Sequence, residues 1–201
     1  MAFCVGLTGG IGSGKSAAAS LFGTHGAAVV DTDEISHALT APAGAAIGAI
    51  RESFGPGSIA ADGSLDRARM RSLVFSDPGA RKQLEAILHP LIRERTRAAI
   101  AGARAPYVVV VVPLLFETGA CLDLVQRVLV VDCEEDEQVR RVAARSGIAT
   151  DEIRRIMAAQ LPRAERVNRA DDVLDNSGDL ETLRGQVANL HAKYLDLARS
   201  A

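Results

Sequence analysis

The sequence predicts an α/β domain in which helices cover both faces of a five-stranded parallel sheet, a doubly wound fold. Five short apolar runs alternate with helical patterns along the 201 residues, and each run is continuously apolar rather than alternating. Continuous apolar runs are typical of strands that are buried on both faces, as in a parallel sheet. Because 48% of the residues are hydrophobic, the chain can also build the core that such a domain needs.

The first apolar run, residues 3–8, is followed by a glycine-rich segment and then by a helical pattern that includes Ala17. The segment reads Gly9-Gly10-Ile11-Gly12-Ser13-Gly14-Lys15-Ser16 and fits the phosphate-binding pattern G-x-x-x-x-G-K-[ST]. In this pattern, backbone N–H groups surround the phosphates, the lysine reaches the β- and γ-phosphates, and the serine hydroxyl binds Mg²⁺. The order of strand, loop and helix predicts a P-loop nucleotide site, with ATP and Mg²⁺ as ligands.

The second predicted strand, residues 27–30, runs into Asp31-Thr32-Asp33. Ligands of such sheets bind beyond the carboxyl ends of the strands, so both carboxylates are candidates for chemistry. Asp33 could accept a proton from an attacking hydroxyl or help to hold Mg²⁺ through water, and Asp31 could orient its neighbour or a metal-bound water. The alternative for Asp33 is a cap on the next helix, because Asp is a favoured N-cap residue.

Residues 34–104 have a mostly helical pattern, broken at Pro42, at residues 55–57 and at Pro78. Seventy residues are too many for a single crossover helix. We therefore expect a helical subdomain, within which a helix starting near Arg81 ends or kinks at His89-Pro90. His89 is either a packing residue or a substrate contact.

Three further strands are predicted at residues 107–112, 127–131 and 172–174. The third strand is followed by Pro113 and not by the metal-holding Asp of many phosphate-loop ATPases. This leaves Ser16 and the Asp31/Asp33 pair to hold the metal, with Ser16 and Asp31 as the candidate ligands. Asn176, after the last strand, is a candidate neighbour of the adenine or ribose and equally a turn residue. An amphipathic C-terminal helix follows, with its apolar side at Leu180, Leu183, Val187, Leu190, Tyr194 and Leu197.

Two arginine-rich helices are predicted at residues 135–145 and 151–160. Arg141 and Arg145 are four residues apart and share a helix face, and arginine suits bidentate contact with phosphate. A mobile helical pair that brings arginine to a triphosphate is typical of a kinase lid. The predicted organisation is one domain with its core at 1–33, 105–133 and 170–201, a helical acceptor-binding region at 34–104 and a lid at 134–169.

Composition argues against several classes of protein. The net charge of −2 does not favour binding to nucleic acid or to membrane surfaces, and three cysteines without C-x-x-C spacing suggest neither disulfides nor a zinc site. The sequence shows no secretory leader and no apolar run long enough for a membrane span, which predicts a cytoplasmic protein. It does not indicate the oligomeric state.

These motifs, taken in order, resemble the dephospho-coenzyme A kinase family from the first strand to the last helix. Besides residues 7–16, the similarity rests on Asp31-Thr32-Asp33, Leu65-Asp66-Arg67, Val74-Phe75, Leu88-His89-Pro90, Val112-Pro113-Leu114-Leu115-Phe116-Glu117 and residues 170–176. The Pro-Leu-Leu-Phe-Glu and His-Pro segments are more specific than the loop, which thousands of unrelated proteins share. Ala17 departs from the threonine of many relatives.

The resemblance implies that ATP phosphorylates the ribose 3′-hydroxyl of dephospho-CoA, the last step of coenzyme A biosynthesis. It implies that Asp33 is the base or positions the hydroxyl. It also implies that the transferred group is surrounded by Lys15, Mg²⁺, Arg141 and Arg145. Thr8, His89, Leu114 and Glu117 would lie near the acceptor. A kinase with another acceptor and a non-catalytic nucleotide-binding module are the alternatives. The Pro-Leu-Leu-Phe-Glu segment disfavours the first, and the intact Lys15, Ser16 and Asp33 disfavour the second.

Overall fold

Five strands form a single sheet in the computed structural model of the chain, which describes residues 2–200. The strands are β1 Phe3–Gly9, β2 Ala28–Asp31, β3 Tyr107–Val111, β4 Arg127–Asp132 and β5 Asp172–Asp175. They lie in the order β2–β3–β1–β4–β5, and every pairing is parallel. The predicted five-stranded parallel sheet is therefore confirmed.

The central position of β1 explains its unbroken apolar sequence. All seven residues of β1 and all five of β3 are buried, and Gly6 pairs with Val110 on one side and Val128 on the other. At the sheet edge, β5 is buried only at alternate residues. Because all strands are parallel, the carboxyl ends of β1, β3 and β4 lie at one edge of the sheet, where the loop after Gly9 begins.

Ten α-helices lie within residues 2–200, together with short 3₁₀ helices at Pro56–Ser58 and Leu122–Leu124. None of them is both long enough and apolar enough to span a membrane. The α-helices are α1 Lys15–Thr24, α2 Thr32–Leu39, α3 Ile47–Phe54, α4 Arg67–Ser76, α5 Pro78–Gly102, α6 Leu115–Thr118, α7 Glu135–Ser146, α8 Thr150–Ala158, α9 Arg163–Asn168 and α10 Leu180–Arg199.

The chain divides into two compact units, and the first, Met1–Asp31 with Ala99–Ala201, contains the sheet. Side chains of the sheet, α1 and α10 form its largest apolar cluster. Prominent members of this cluster are Val5, Leu7, Phe22, Tyr107, Val109, Leu129, Val131, Leu174, Leu183, Val187 and Tyr194. Aliphatic side chains dominate the cluster, as the low aromatic content of 3% requires.

Helix α10 has most of the apolar side that its sequence predicts. Leu183, Val187 and Tyr194 are buried in the core, and Leu190 and Leu197 pack against it. Leu180 was expected on the same side but is 52% exposed. It is the first residue of the helix, directly after the N-cap Asp179, so it lies before the turns that meet the core.

The second unit, Thr32–Ala98, is mostly helical and has its own core. Leu39, Ala46, Ile50, Leu65 and Met70 are buried together there. The predicted helix breaks match the ends of the α-helices: Pro42 and residues 55–57 lie between α-helices, and Pro78 is the first residue of α5. Glycine at position 55 suits its φ of 78°, and proline at position 78 suits the first residue of a helix.

Of the two predictions for His89-Pro90, a helix end or a kink, the helix end is wrong, because α5 continues from Pro78 through Pro90 to Gly102. Proline inside a helix removes one hydrogen bond and costs about 3 kcal/mol. The residues around it, Ile87, Leu88, Leu91 and Ile92, all pack against the core of the second unit. This apolar packing offsets the cost of the proline, which local propensity alone does not predict.

Candidate active site

The predicted phosphate loop connects the last residue of β1 to the first turn of α1. Gly12 and Gly14 have φ angles of 75° and 100°, in the left-handed region that favours glycine. Gly14 is the N-cap of α1 and provides no side-chain cap. The first N–H groups of α1 therefore lack a side-chain cap, which is the arrangement that binds phosphate at a helix N-terminus.

All four glycines of the loop, Gly9, Gly10, Gly12 and Gly14, have a neighbour too close for an added Cβ. A Cβ on Gly12 would lie 2.6 Å from the carbonyl oxygen of Gln138, and a Cβ on Gly14 would meet the amide nitrogen of Asn176. The loop backbone is thus packed directly against α7 and against the residue that follows β5. The glycine pattern is needed for packing as well as for backbone conformation.

Lys15 and Ser16 occupy the first two positions of α1. The Lys15 ammonium donates hydrogen bonds to the carbonyl oxygens of Gly9 at 2.9 Å and Gly10 at 3.0 Å, which holds its charge against the loop. Ser16 and Ala17 are exposed, and the metal-binding role of Ser16 stays a prediction.

Asn176 forms a hydrogen bond with the loop residue Ser13, which is 163 residues away in the sequence. It is buried, and its side-chain amide donates to the carbonyl oxygen of Ser13 at 2.7 Å. Its own carbonyl oxygen accepts a hydrogen bond from Arg141 at 2.9 Å. Asn176 therefore holds the phosphate loop in place, while its contact with adenine or ribose stays a prediction.

The two predicted lid arginines have different surroundings. Arg141 is half-buried and bonds to Glu137 at 2.6 Å as well as to Asn176. Hydrogen bonds from Arg140 and Arg141 lower the pKa of Glu137 to about 2, so its carboxylate stays charged. Arg145 is exposed in the last turn of α7. The structure thus brings Arg141, but not Arg145, into the hydrogen-bond network of the loop.

Three side chains that sequence reasoning did not select also meet the loop. Gln160 accepts a hydrogen bond from the backbone N–H of Ile11 at 3.0 Å, and Gln138 donates to the carbonyl oxygen of Cys133 at 2.8 Å. Gly10 is bordered by Gln138 and by Arg166. No local motif marks the two glutamines, and Arg166 is one of many arginines in its segment.

The residues that follow β3 belong to the unit that contains the sheet and the phosphate loop. The Thr8 hydroxyl donates to the carbonyl oxygen of Pro113 at 3.2 Å, and Leu114 is 36% exposed just before α6. The carboxylate of Glu117 accepts a hydrogen bond from the backbone N–H of Leu161 at 2.9 Å. Leu114 is therefore open to a ligand, whereas Glu117 joins α6 to the segment between α8 and α9.

The other predicted residues lie at the end of β2 and in the second unit. Asp31 is half-buried at the last position of β2. Asp33 is exposed in the first turn of α2, where a carboxylate also favours the helix dipole. His89 is exposed on α5. Because α2 begins at Thr32, Asp33 is not the N-cap, and what remains of the capping alternative is a stabilising effect of its charge on the first turn. The catalytic role of Asp33 stays a prediction.

Comparison with known proteins decides the family. A family profile described as dephospho-CoA kinase matches residues 3–182. The chain belongs to the dephospho-CoA kinase family. The dephospho-CoA kinase of Aromatoleum aromaticum is 58% identical over 198 residues, which cover 98% of this chain and 97% of that protein.

Solved structures agree with the dephospho-CoA kinase fold. A Thermus thermophilus protein matches with a TM-score of 0.77 and 36% identity, covering 96% of this chain and 97% of that one. The dephospho-CoA kinase from Campylobacter jejuni matches with a TM-score of 0.71, and the match covers 96% of this chain and 97% of that one. Because the identity to the latter is only 21%, that match supports the fold alone.

Proposed function

We propose that this chain transfers the γ-phosphoryl group of ATP to the ribose 3′-hydroxyl of dephospho-CoA, giving CoA and ADP in the last step of coenzyme A biosynthesis. The main support is the family match over residues 3–182 on a chain whose phosphate loop is intact. The dephospho-CoA kinase with 58% identity aligns over nearly the whole of both chains. A kinase of this kind works where ATP is supplied, so we also propose a cytoplasmic location.

The loop and α1 would hold the triphosphate. Their N–H groups would provide the donors, and the Lys15 ammonium, which lies on the carbonyl oxygens of Gly9 and Gly10, would bind the β- and γ-phosphates. The negative charge that develops in phosphoryl transfer is spread over the phosphate oxygens, so fixed donors at this position stabilise the transition state. Arg141 and Arg145 would supply further positive charge from α7.

The donor set fits Mg²⁺. Within residues 2–200 there is no group of three or more His, Cys, Asp or Glu side chains that could hold a metal. Mg²⁺ does not require one, because it is commonly held by one or two protein oxygens with phosphates and water. The Ser16 hydroxyl would be a direct ligand, and Asp31 would act through water. When bound, the ion would neutralise charge on the β- and γ-phosphates.

Asp33 would accept the proton of the attacking hydroxyl. In the transfer, the 3′-oxygen forms a bond to the γ-phosphorus while the bond from that phosphorus to the β–γ bridging oxygen breaks. The hydroxyl proton passes to Asp33, and ADP leaves with the electron pair of the broken bond. Two features support this role: the position of Asp33 just beyond β2, and the exposure of its carboxylate.

Acceptor recognition is assigned to residues 34–104 and to the segment after β3. Thr8, His89, Leu114 and Glu117 would contribute, and residues 134–169 would close as a lid over ATP. The acceptor must approach the γ-phosphate roughly in line with the leaving oxygen. The phosphate loop would hold the leaving ADP, so the acceptor would be bound by other parts of the chain.

An ADP-release assay with a panel of acceptors tests the function. Dephospho-CoA should support turnover, whereas adenosine, AMP and other nucleoside monophosphates should not. The product should carry its new phosphate on the 3′-oxygen, which phosphorus NMR identifies. A Lys15→Ala preparation, purified in parallel, controls for contaminating kinases. Equal turnover with a nucleoside monophosphate, or none with dephospho-CoA, would overturn the proposal.

A further inference from the structure

Arg166, on α9, is a buried guanidinium without a carboxylate partner. It is only 5% exposed. Within residues 2–200 its only hydrogen bond is donated by Nη2 to the carbonyl oxygen of Leu161 at 2.6 Å, and it forms no ion pair. A buried charge is costly unless an opposite charge and hydrogen bonds compensate it. A buried arginine without a carboxylate partner therefore indicates that a ligand could supply the missing negative charge.

The other arginines of the segment do not share this property. Ion pairs join Arg140 and Arg141 to Glu137, Arg163 to Asp132 and Glu134, and Arg169 to Glu165. Those without an ion pair are exposed to water, namely Arg145, Arg154 and Arg155. Arg166 alone among them is both buried and unpaired.

The charges that face Arg166 do not replace a partner. Glu117, Asp132 and Glu135 act on it from beyond contact distance. Loss of water outweighs their attraction, and the pKa of Arg166 is lowered as a result. The guanidinium remains positive, because arginine does not lose its proton in proteins. Its surroundings therefore favour the arrival of an anion.

The position of Arg166 indicates which anion. Its Nη1 lies 3.1 Å from the point where a Cβ on Gly10 would lie. The carbonyl oxygen of the same Gly10 accepts a hydrogen bond from Lys15 at 3.0 Å. The lysine of this motif serves the β- and γ-phosphates. Arg166 and Lys15 thus both border the loop at Gly10.

The guanidinium also borders open space. It lines a cavity of about 40 Å³ together with Gln138, Gln160 and Leu161. A cavity of this size has room for about one water molecule, so there is some space beside the Arg166 side chain. The planar guanidinium suits bidentate hydrogen bonding to phosphate oxygens.

We infer that Arg166 binds the β- and γ-phosphate end of ATP and provides a phosphate contact that neither Arg141 nor Arg145 supplies. This inference rests on the proposed use of ATP. It assigns the buried, unpaired arginine of α9 to the nucleotide, because ATP would supply the anion that the folded chain lacks at this position. It does not depend on the identity of the acceptor.

The test measures nucleotide affinity without any acceptor, by calorimetry with a non-hydrolysable ATP analogue and with AMP. Arg166→Gln should weaken binding of the analogue about 10- to 100-fold, the loss expected for a charge-assisted hydrogen bond. AMP affinity should stay unchanged, and Arg166→Lys should be intermediate because it keeps charge without the planar fork. Arg169→Gln, an exposed neighbour paired with Glu165, is the matched control and should bind as the parent does.

Equal affinities of parent and Arg166→Gln for the analogue, or equal losses for the analogue and AMP, would overturn the inference. A purely structural role predicts a lower melting temperature without ligand. A phosphate-binding role predicts an unchanged or higher one, because an uncompensated buried charge is removed. If the glutamine variant does not fold, an NMR titration of the parent protein tests whether Arg166 contacts the phosphates. The Arg166 Nε–Hε signal, assigned with Arg166→Lys, should shift with the analogue and not with AMP.

The test of Arg166 can fail while the proposed function holds, and the reverse is also true. If dephospho-CoA does not support turnover in the acceptor panel, it is not the substrate. Arg166→Gln should still bind the ATP analogue more weakly than the parent does. Unchanged analogue binding in that variant, with normal turnover on dephospho-CoA, would overturn only the role of Arg166.

Discussion

Gly14→Ala should destabilise the chain strongly, although it adds only a methyl group. Gly14 has a φ of 100°, which an L-residue rarely adopts, and the added Cβ would meet the side-chain amide of Asn176. Asn176 would have to move, which breaks its 2.7 Å hydrogen bond to the carbonyl oxygen of Ser13. The substitution therefore combines backbone strain with the loss of a buried hydrogen bond.

The two costs set the magnitude. Left-handed backbone costs an L-residue about 1–2 kcal/mol. Leaving buried hydrogen-bonding groups without partners costs a further ~1–3 kcal/mol. A total of about 3 kcal/mol lowers the melting temperature of a chain of this size by roughly 6–12 °C. Affinity for ATP should fall as well, because the displaced backbone belongs to the phosphate loop.

Denaturant unfolding of four variants tests this reasoning. Gly185→Ala is the control, since Gly185 lies within α10 with no neighbour within 4 Å of an added Cβ. That change should stabilise by about 0.5–1 kcal/mol through helix propensity. Gly14→Ala is then compared in the parent and in an Asn176→Ala background, where only the backbone strain remains. The same cost in both backgrounds, or a cost in the parent below about 1 kcal/mol, would refute the steric argument.

Lys15→Ala should lower turnover about 10²–10³-fold with an unchanged circular dichroism spectrum, and normal turnover would show that the loop is not the ATP site. Asp33→Asn should slow transfer about 10²–10⁴-fold while ATP affinity holds; a large fall in melting temperature with near-normal turnover would favour a role in stabilising the first turn of α2. Arg141→Lys should lower turnover more than Arg145→Lys, because only Arg141 is bonded into the loop network; parent-like rates in both variants would contradict this. Burial and a neighbouring histidine lower the pKa of His191 below its usual 6.5. The unfolded chain then binds the proton more readily, so stability should rise with pH through the window below 6.5. Melting temperatures from about pH 5 to 7.5 should rise less in His191→Gln, and an identical slope would count against the argument.

Local sequence was sufficient for much of the fold. Each interior strand is a continuous apolar run, and such runs have few alternatives to a buried parallel strand. The phosphate loop could also be recognised locally, because the φ angles of Gly12 and Gly14 and the contact of Lys15 with Gly9 all lie within one short segment. These elements could be placed before any long-range contact was known.

Other features depend on contacts between residues far apart in the chain. Helix α5 passes through Pro90 because its apolar neighbours reach the core of the second unit. Gln160 meets Ile11 across 149 residues, and Asn176 meets Ser13 across 163. No pattern in the local sequence around either residue indicates these partners.

The sequence by itself determined the sheet, the phosphate loop and the family resemblance, since all three follow from short-range patterns of residue type. Only the tertiary structure decided which arginines near the loop are paired with carboxylates. Arg141 is bonded to Glu137, whereas Arg166 is buried without a carboxylate. Whether a charge is compensated depends on which side chains pack beside it, and that packing is fixed only when the whole chain has folded.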